Sequence, residues 1–121
     1  MIPTLLAFAT LAASLMPPAP YIRTVAPGET VRVLTVEQSR AIHESGGPPV
    51  TMARIMVCES NGDTTALGAA GEVGAWQVTP RWWGAVPSDI VGQAQQAARI
   101  MAEHGDGPWT TKGGCVRWTR P

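Results

Sequence analysis

Cys58 and Cys115 are the two cysteines of the chain, and whether they pair decides how so small a domain holds together. In an oxidising compartment they close a loop of about 58 residues, which the chain-entropy relation values at about 4 kcal/mol. A small domain with a modest core needs such a staple. The alternative is two unrelated buried thiols. Metal binding is not indicated, because His43 and His104 show no ligand spacing with either cysteine, and no cofactor is expected.

A length of 121 residues accommodates one domain at most, plus a tail. Nine basic and nine acidic residues cancel to a formal net charge of +0, and charged residues make up only 15% of the chain. That leaves no electrostatic footprint for nucleic acid and no basic run for an anionic membrane surface. Five Trp stand against one Tyr and one Phe. Indole offers a broad flat face with a single donor, suited to a core or to a wall for flat ligands.

The segment from Ile2 to Met16 is apolar, with Thr and Ser interruptions. It falls short of the roughly 20 apolar residues that span a bilayer. Residues 1–19 therefore read as a secretory signal, with an uncleaved N-terminal anchor and membrane association as the alternative. The signal is imperfect: no Lys or Arg precedes it, Ala19 is followed by Pro20, and Ala12-Ala13-Ser14 is a second small-residue site. The protein is expected to be secreted or associated with the cell envelope, and to act as a monomer.

Residues 20–47 read as a linker and a short hairpin-like segment. Pro17-Pro18-Ala19-Pro20 is stiff. Tyr21 to Val36 could turn at Pro27-Gly28, with Thr30 to Val33 rich in strand formers. Glu37 to Glu44 predicts one or two helical turns. Gly46-Gly47-Pro48-Pro49 breaks the chain, and a domain boundary is placed there, with 48–121 as the functional domain. In it, Thr51 is expected to cap a helix that Gly62 stops. Thr64 to Pro80, rich in Gly and Ala, predicts loop mixed with short strand. A further helix starts with Ser88 as cap and Asp89 in its first turn, carries the stripe Ile90, Ala94, Ala97, Ala98 and Met101, and ends at Gly105. Its small alanines predict close packing against the helix that ends in Glu59.

Met52, Ile55 and Met56 recur at helical spacing, and Glu59 falls on the same stripe. A carboxylate on a face that seeks the core is misplaced unless it serves a purpose. Burial disfavours its ionised form and raises its pKa, giving an acid able to donate a proton near neutral pH, as cleavage of a glycosidic bond requires.

Cys58-Glu59-Ser60, followed by Gly74-Ala75-Trp76-Gln77-Val78, resembles the lysozyme-like superfamily of lytic transglycosylases and lysozymes. Its members pair a Glu-Ser dipeptide at a helix end with a later Gly-x-x-Gln-hydrophobic segment. The resuscitation-promoting-factor-like and small secreted transglycosylase domains are the most similar. They too place a Cys directly before the catalytic Glu and end in a Gly- and Trp-containing segment with the partner Cys, matched by Gly107-Pro108-Trp109 and Cys115. The resemblance runs from about Thr51 to Trp118, and the ordered set of motifs carries it rather than any one of them. It implies an α+β, mostly α, lysozyme-like domain stapled by one disulfide. It also implies cleavage of the glycan strands of peptidoglycan between N-acetylmuramic acid and N-acetylglucosamine, with Glu59 as general acid.

Glu72 bears on which relative is nearer. In animal-type lysozymes an acidic residue sits two positions before the Gly of a Gly-x-x-Gln segment followed by Arg-Trp-Trp, and here Glu72, Gly74, Gln77 and Arg81-Trp82-Trp83 match. The residue is Glu rather than Asp, and its interval from Glu59 is shorter. Glu72 is thus either a second carboxylate that would permit hydrolysis or a residue that shapes its loop by hydrogen bonding. Asp63, on the turn after the helix, is a weaker acidic candidate. Gln77 could hold an acetamido group or orient the acid, or equally satisfy backbone groups. Of Trp82 and Trp83, at most one, Trp82, is expected to touch glycan. Trp76 and Trp109 are assigned to packing, Trp118 to the periphery, and Ser60 to anchoring the helix end. A lytic transglycosylase is the leading expectation, with a hydrolytic lysozyme using Glu59 and Glu72, or a non-catalytic peptidoglycan-binding module, as alternatives.

Overall fold

The structure is a computed structural model that describes residues 22–23, 32–110 and 115. The N-terminal apolar segment, the Pro17–Pro20 linker, the Pro27-Gly28 turn and Trp118 lie outside the described residues. β1 (Ile22–Arg23) pairs antiparallel with β2 (Arg32–Val33), in the register Ile22↔Val33 and Arg23↔Arg32. Helix α1 (Val36–Ser45) follows. Thr35 caps it: its hydroxyl accepts from Gln38 N (3.1 Å), while the Gln38 side chain accepts from Thr35 N (3.0 Å). This reciprocal box satisfies two orphan donors and starts the helix one residue before the expected Glu37.

Gly46, at φ 77°, ends α1 in the left-handed conformation that glycine tolerates. A Cβ on Gly47 would strike the Met52 sulfur and crowd the Ala98 methyl. The corner therefore sits hard against both following helices. α1 buries Ser39, Ala41 and Ile42, and the last two belong to the same core as those helices. Gly46 to Pro49, where a domain boundary is expected from the sequence, forms the turn between two helices that contribute to one core.

Helix α2 runs Pro49–Ser60. Thr51 is not its cap. Pro49 occupies the first helical position, where a missing N–H costs nothing and the fixed φ is already helical, so the helix begins earlier, with Pro48 as N-cap. Met52, Ala53, Ile55, Met56 and Val57 are buried. Fully burying a side chain the size of Met or Ile contributes about 1.5–3 kcal/mol. Asn61, at φ 58°, ends α2, donating its N–H to Val57 O (2.9 Å).

From Thr64 to Thr79 the chain makes tight turns held by two isolated antiparallel bridges, Leu67↔Val73 and Val73↔Val78. Helix α3 is a single turn, Pro80–Trp83. Helix α4 spans Ile90–His104. Its cap is Asp89, whose carboxylate accepts from Gly92 N (3.2 Å), rather than Ser88. α4 lies closest to α1, not to α2 as its alanines suggested. The glycine corner after α1 lets those two backbones approach.

A short 3-10 turn (Gly107–Trp109) leads toward Cys115. Cys115 is disulfide-bonded to Cys58, with Cα atoms 5.7 Å apart. The result is a small, α-rich domain with little strand and one disulfide. Trp76 and Trp109, 1% and 4% exposed, are core residues whose indole N–H groups find backbone acceptors at Met52 O (3.0 Å) and Trp76 O (2.8 Å).

Candidate active site

The last stripe position of α2 lies where the core gives way to a cleft. Met52, Ile55 and Met56 are fully buried, and Glu59, one turn further, is half-buried. It lines an open cleft of about 460 Å³ with Glu72, Gln77, Thr79, Trp82, Trp83, Pro108 and Trp109. Burial pushes the Glu59 carboxyl above its ordinary range, and the charge of Glu72 pushes it further. The protonated form is thereby favoured.

Glu72 reaches the cleft from the turn that follows Gly68. Its backbone oxygen accepts from Gly68 N (2.8 Å), and its carboxylate accepts from Ala70 N (3.3 Å). A Cβ on Gly68 would collide with Glu72 Oε2 and Gln77 Oε1. Glycine at this position lets the two side chains converge over the backbone. The carboxylate thus both faces the cleft and braces its own loop.

Gln77 adopts φ 50°, a left-handed conformation that costs a non-glycine residue about 1 kcal/mol or more. Its side chain compensates: Nε2 donates to Ala66 O (3.2 Å) and Gly74 O (2.9 Å). Both bonds go to backbone, which leaves the amide oxygen as the group Gln77 can offer a ligand.

Trp82 is 70% exposed, with the Arg81 guanidinium 5.3 Å from its ring centroid. Trp83 is partly buried against the core and meets His104 edge to face, centroids 5.0 Å apart. Asp63 does not line the cleft. Thr65 binds its carboxylate through both backbone N–H (2.8 Å) and hydroxyl (2.7 Å), which holds this exposed group below its ordinary pKa. Ser60 Oγ donates to Ala75 O (2.8 Å) and accepts from Gly62 N and Asp63 N, each at 3.1 Å. It is a bracket between the end of α2 and the Gly74–Gln77 turn.

Trp109, read from sequence as packing alone, does both: it is buried and also forms cleft wall beside Pro108. Thr79, to which the sequence assigns no role, also lines the cleft. Gln93, 2% exposed, was missed outright. It breaks the apolar stripe of α4 between Ile90 and Ala97, which is the same signal that singled out Glu59. Among the described residues, no group of three His, Cys, Asp or Glu side chains could hold a metal ion, and no helix is long and apolar enough to cross a membrane.

Together these features define a small, α-rich, disulfide-stapled domain whose open cleft carries a half-buried carboxyl beside a second acid. No known protein family, curated relative or solved structure matches the chain.

Proposed function

We propose that the domain cleaves the β-1,4 bond between N-acetylmuramic acid and N-acetylglucosamine in peptidoglycan, as a lytic transglycosylase. The observation that carries this reading is Glu59: a half-buried carboxyl with raised pKa, on the wall of an open cleft of about 460 Å³. The resemblance of Cys58-Glu59-Ser60 and Gly74-x-x-Gln77 to lysozyme-like enzymes supports it. The disulfide fits an oxidising, extracytoplasmic setting, where such a substrate lies.

In this mechanism Glu59 gives its proton to the glycosidic oxygen as the C1–O bond breaks, leaving positive charge on the muramic ring. Glu59, now ionised, takes the proton of the muramic 6-hydroxyl as that oxygen bonds to C1. A 1,6-anhydro end results, and the acid is restored. One carboxyl group serves both steps, because the substrate supplies the nucleophile. The Glu72 charge makes Glu59 a better-retained acid and stabilises positive charge developing in the cleft. Trp82 offers an exposed face for a sugar ring, and the Gln77 amide oxygen an acceptor for an acetamido N–H.

Glu72 also favours a second reading. Two carboxylates in one cleft are the equipment of a hydrolase, in which the second acts as nucleophile or activates water. Incubation with purified sacculi and mass spectrometry of the released fragments separates the two. Fragments ending in 1,6-anhydro-muramic acid are expected. Reducing-end products, heavier by one water, would replace the transglycosylase by a hydrolase. Binding to sacculi without release would replace both by a non-catalytic module.

A further inference from the structure

Gln93 projects from α4 into the interior, and its amide touches three separate stretches of chain. Oε1 accepts from Ala75 N (2.8 Å), and Nε2 donates to Thr64 O (3.0 Å) and Pro87 O (2.8 Å). Thr64 opens the loop that carries Glu72, and Ala75 closes it. Pro87 lies on the strand of chain between the Trp82-Trp83 turn and α4.

Ala75 is held from both sides. Gln93 takes its N–H, while Ser60, the neighbour of Glu59 on α2, donates to its carbonyl (2.8 Å). The Gly74–Gln77 turn is therefore fastened at once to the helix that bears Glu59 and to α4. Gly74, at φ 85°, leaves the space the amide occupies: a Cβ there would collide with all three atoms of the Gln93 amide group. A buried amide with its oxygen and both amide hydrogens engaged by backbone is costly to disengage, because each broken bond strands a group away from water.

We propose that Gln93 is a positioning residue, which keeps Glu72 beside Glu59 by locking both ends of the intervening loop onto α4. The inference rests on the proposed lytic chemistry only for its consequence in turnover; the positioning itself is independent of it. Without the clamp the loop relaxes, and Glu72 moves away from Glu59. Among the described residues, Glu72 is the titratable neighbour whose charge acts on Glu59, so the titration of Glu59 reports the position of the loop.

The test is an NMR titration of the Glu59 side-chain carboxyl in wild type, Q93M, E72Q and the double variant, with turnover on sacculi measured alongside. Gln93→Met keeps the length of the side chain and removes its hydrogen bonds. The Glu59 midpoint is expected to move to lower pH in Q93M, and to move less when the same change is made in the E72Q background. kcat at neutral pH should fall no further than in E72Q and should recover at the lower optimum, with KM nearly unchanged. A folded Q93M with the wild-type midpoint, or shifts of equal size in both backgrounds, would overturn the proposal.

Should Q93M fail to fold, hydrogen exchange of the wild-type protein decides: the Ala75 backbone N–H and the Gln93 side-chain amide must be protected to a similar degree. Rapid exchange at Ala75 alone would sink the clamp. Wild-type protein that releases nothing from sacculi would remove the lytic reading, yet leave the titration and exchange results to stand or fall by themselves.

Discussion

Trp109 donates its indole N–H to the carbonyl oxygen of Trp76 at 2.8 Å, joining the C-terminal wall of the cleft to the turn that carries Gln77. Trp76 in turn donates to Met52 O (3.0 Å) in α2. A relay of two buried indoles thus runs from the first turn of the Glu59 helix to the far wall of the cleft. Only one covalent link among the described residues reinforces it, the Cys58–Cys115 disulfide, which begins at the residue before Glu59.

Reduction should therefore weaken both fold and cleft. A closed loop of this length is worth about 4 kcal/mol in chain entropy, with measured values commonly 2–4. Thermal unfolding of wild type with and without reductant, and of C58S/C115S, should show a clearly lower Tm when the bridge is absent. An unchanged Tm in reductant would remove the disulfide from the account of stability.

Glu59→Gln keeps the shape of the side chain and removes the proton. Activity on sacculi is expected to fall by about 10²–10⁴, the usual contribution of a positioned general acid. Stability should not fall. A carboxyl whose pKa is raised in the folded state favours folding when protonated, and that contribution is lost as pH rises from the unfolded pKa through the folded one. Above that window the ionised carboxylate is a burden the amide lacks. The Tm of E59Q at neutral pH should equal or exceed that of wild type; a marked drop would show that Glu59 is structural.

Glu72→Gln removes the charge that helps hold Glu59 protonated. In the pH–rate profile, the alkaline limb reports loss of the Glu59 proton, and it should shift to lower pH. A transglycosylase should keep substantial activity at its new optimum, because Glu72 takes no covalent part. Collapse of activity at every pH would assign Glu72 to hydrolysis.

Gly68→Ala is a sharper probe of the same convergence. The added methyl meets Glu72 Oε2 and Gln77 Oε1 together, so both side chains must move. Loss of turnover in a variant that still folds is expected, with a Glu59 titration nearer the ordinary carboxyl range. Wild-type kinetics in G68A would show that the placement of these two groups is irrelevant to function.

Trp82→Ala should act on binding alone. With 70% of its surface exposed, Trp82 contributes little to the core, so Tm should hardly change. Loss of a stacking face of about 0.5–1.5 kcal/mol corresponds to a KM about two- to thirteenfold higher, with kcat nearly unaltered. Binding isotherms on glycan strands would check this directly; unaltered affinity would take Trp82 out of the substrate site.

What neighbours in sequence can encode is legible from the sequence alone. The stripe from Ile90 to Met101 marks α4, and Met52, Ile55, Met56 and Glu59 lie on one face of α2 because the helical period alone puts them there. Helix starts were read less well. Ser88 and Asp89 compete for one cap, and proline at the first helical position displaced Thr51. The Thr35-x-x-Gln38 capping box is a local signal that starts α1 at Val36 rather than Glu37. Only the tertiary structure decided which segments meet. Alanines on α4 announce a close neighbour without naming it, and the corner at Gly46-Gly47 made that neighbour α1. The apolar stripe of α4 marks Gln93 as a polar residue facing the core, but only the fold brings Thr64, Ala75 and Pro87 to its amide. The burial of Glu59, the approach of Glu72 over Gly68 and the double duty of Trp109 depend likewise on how helices and turns pack. Periodicity and caps act between residues a turn apart, whereas a cleft is made by contacts between distant segments that the shared core alone brings together.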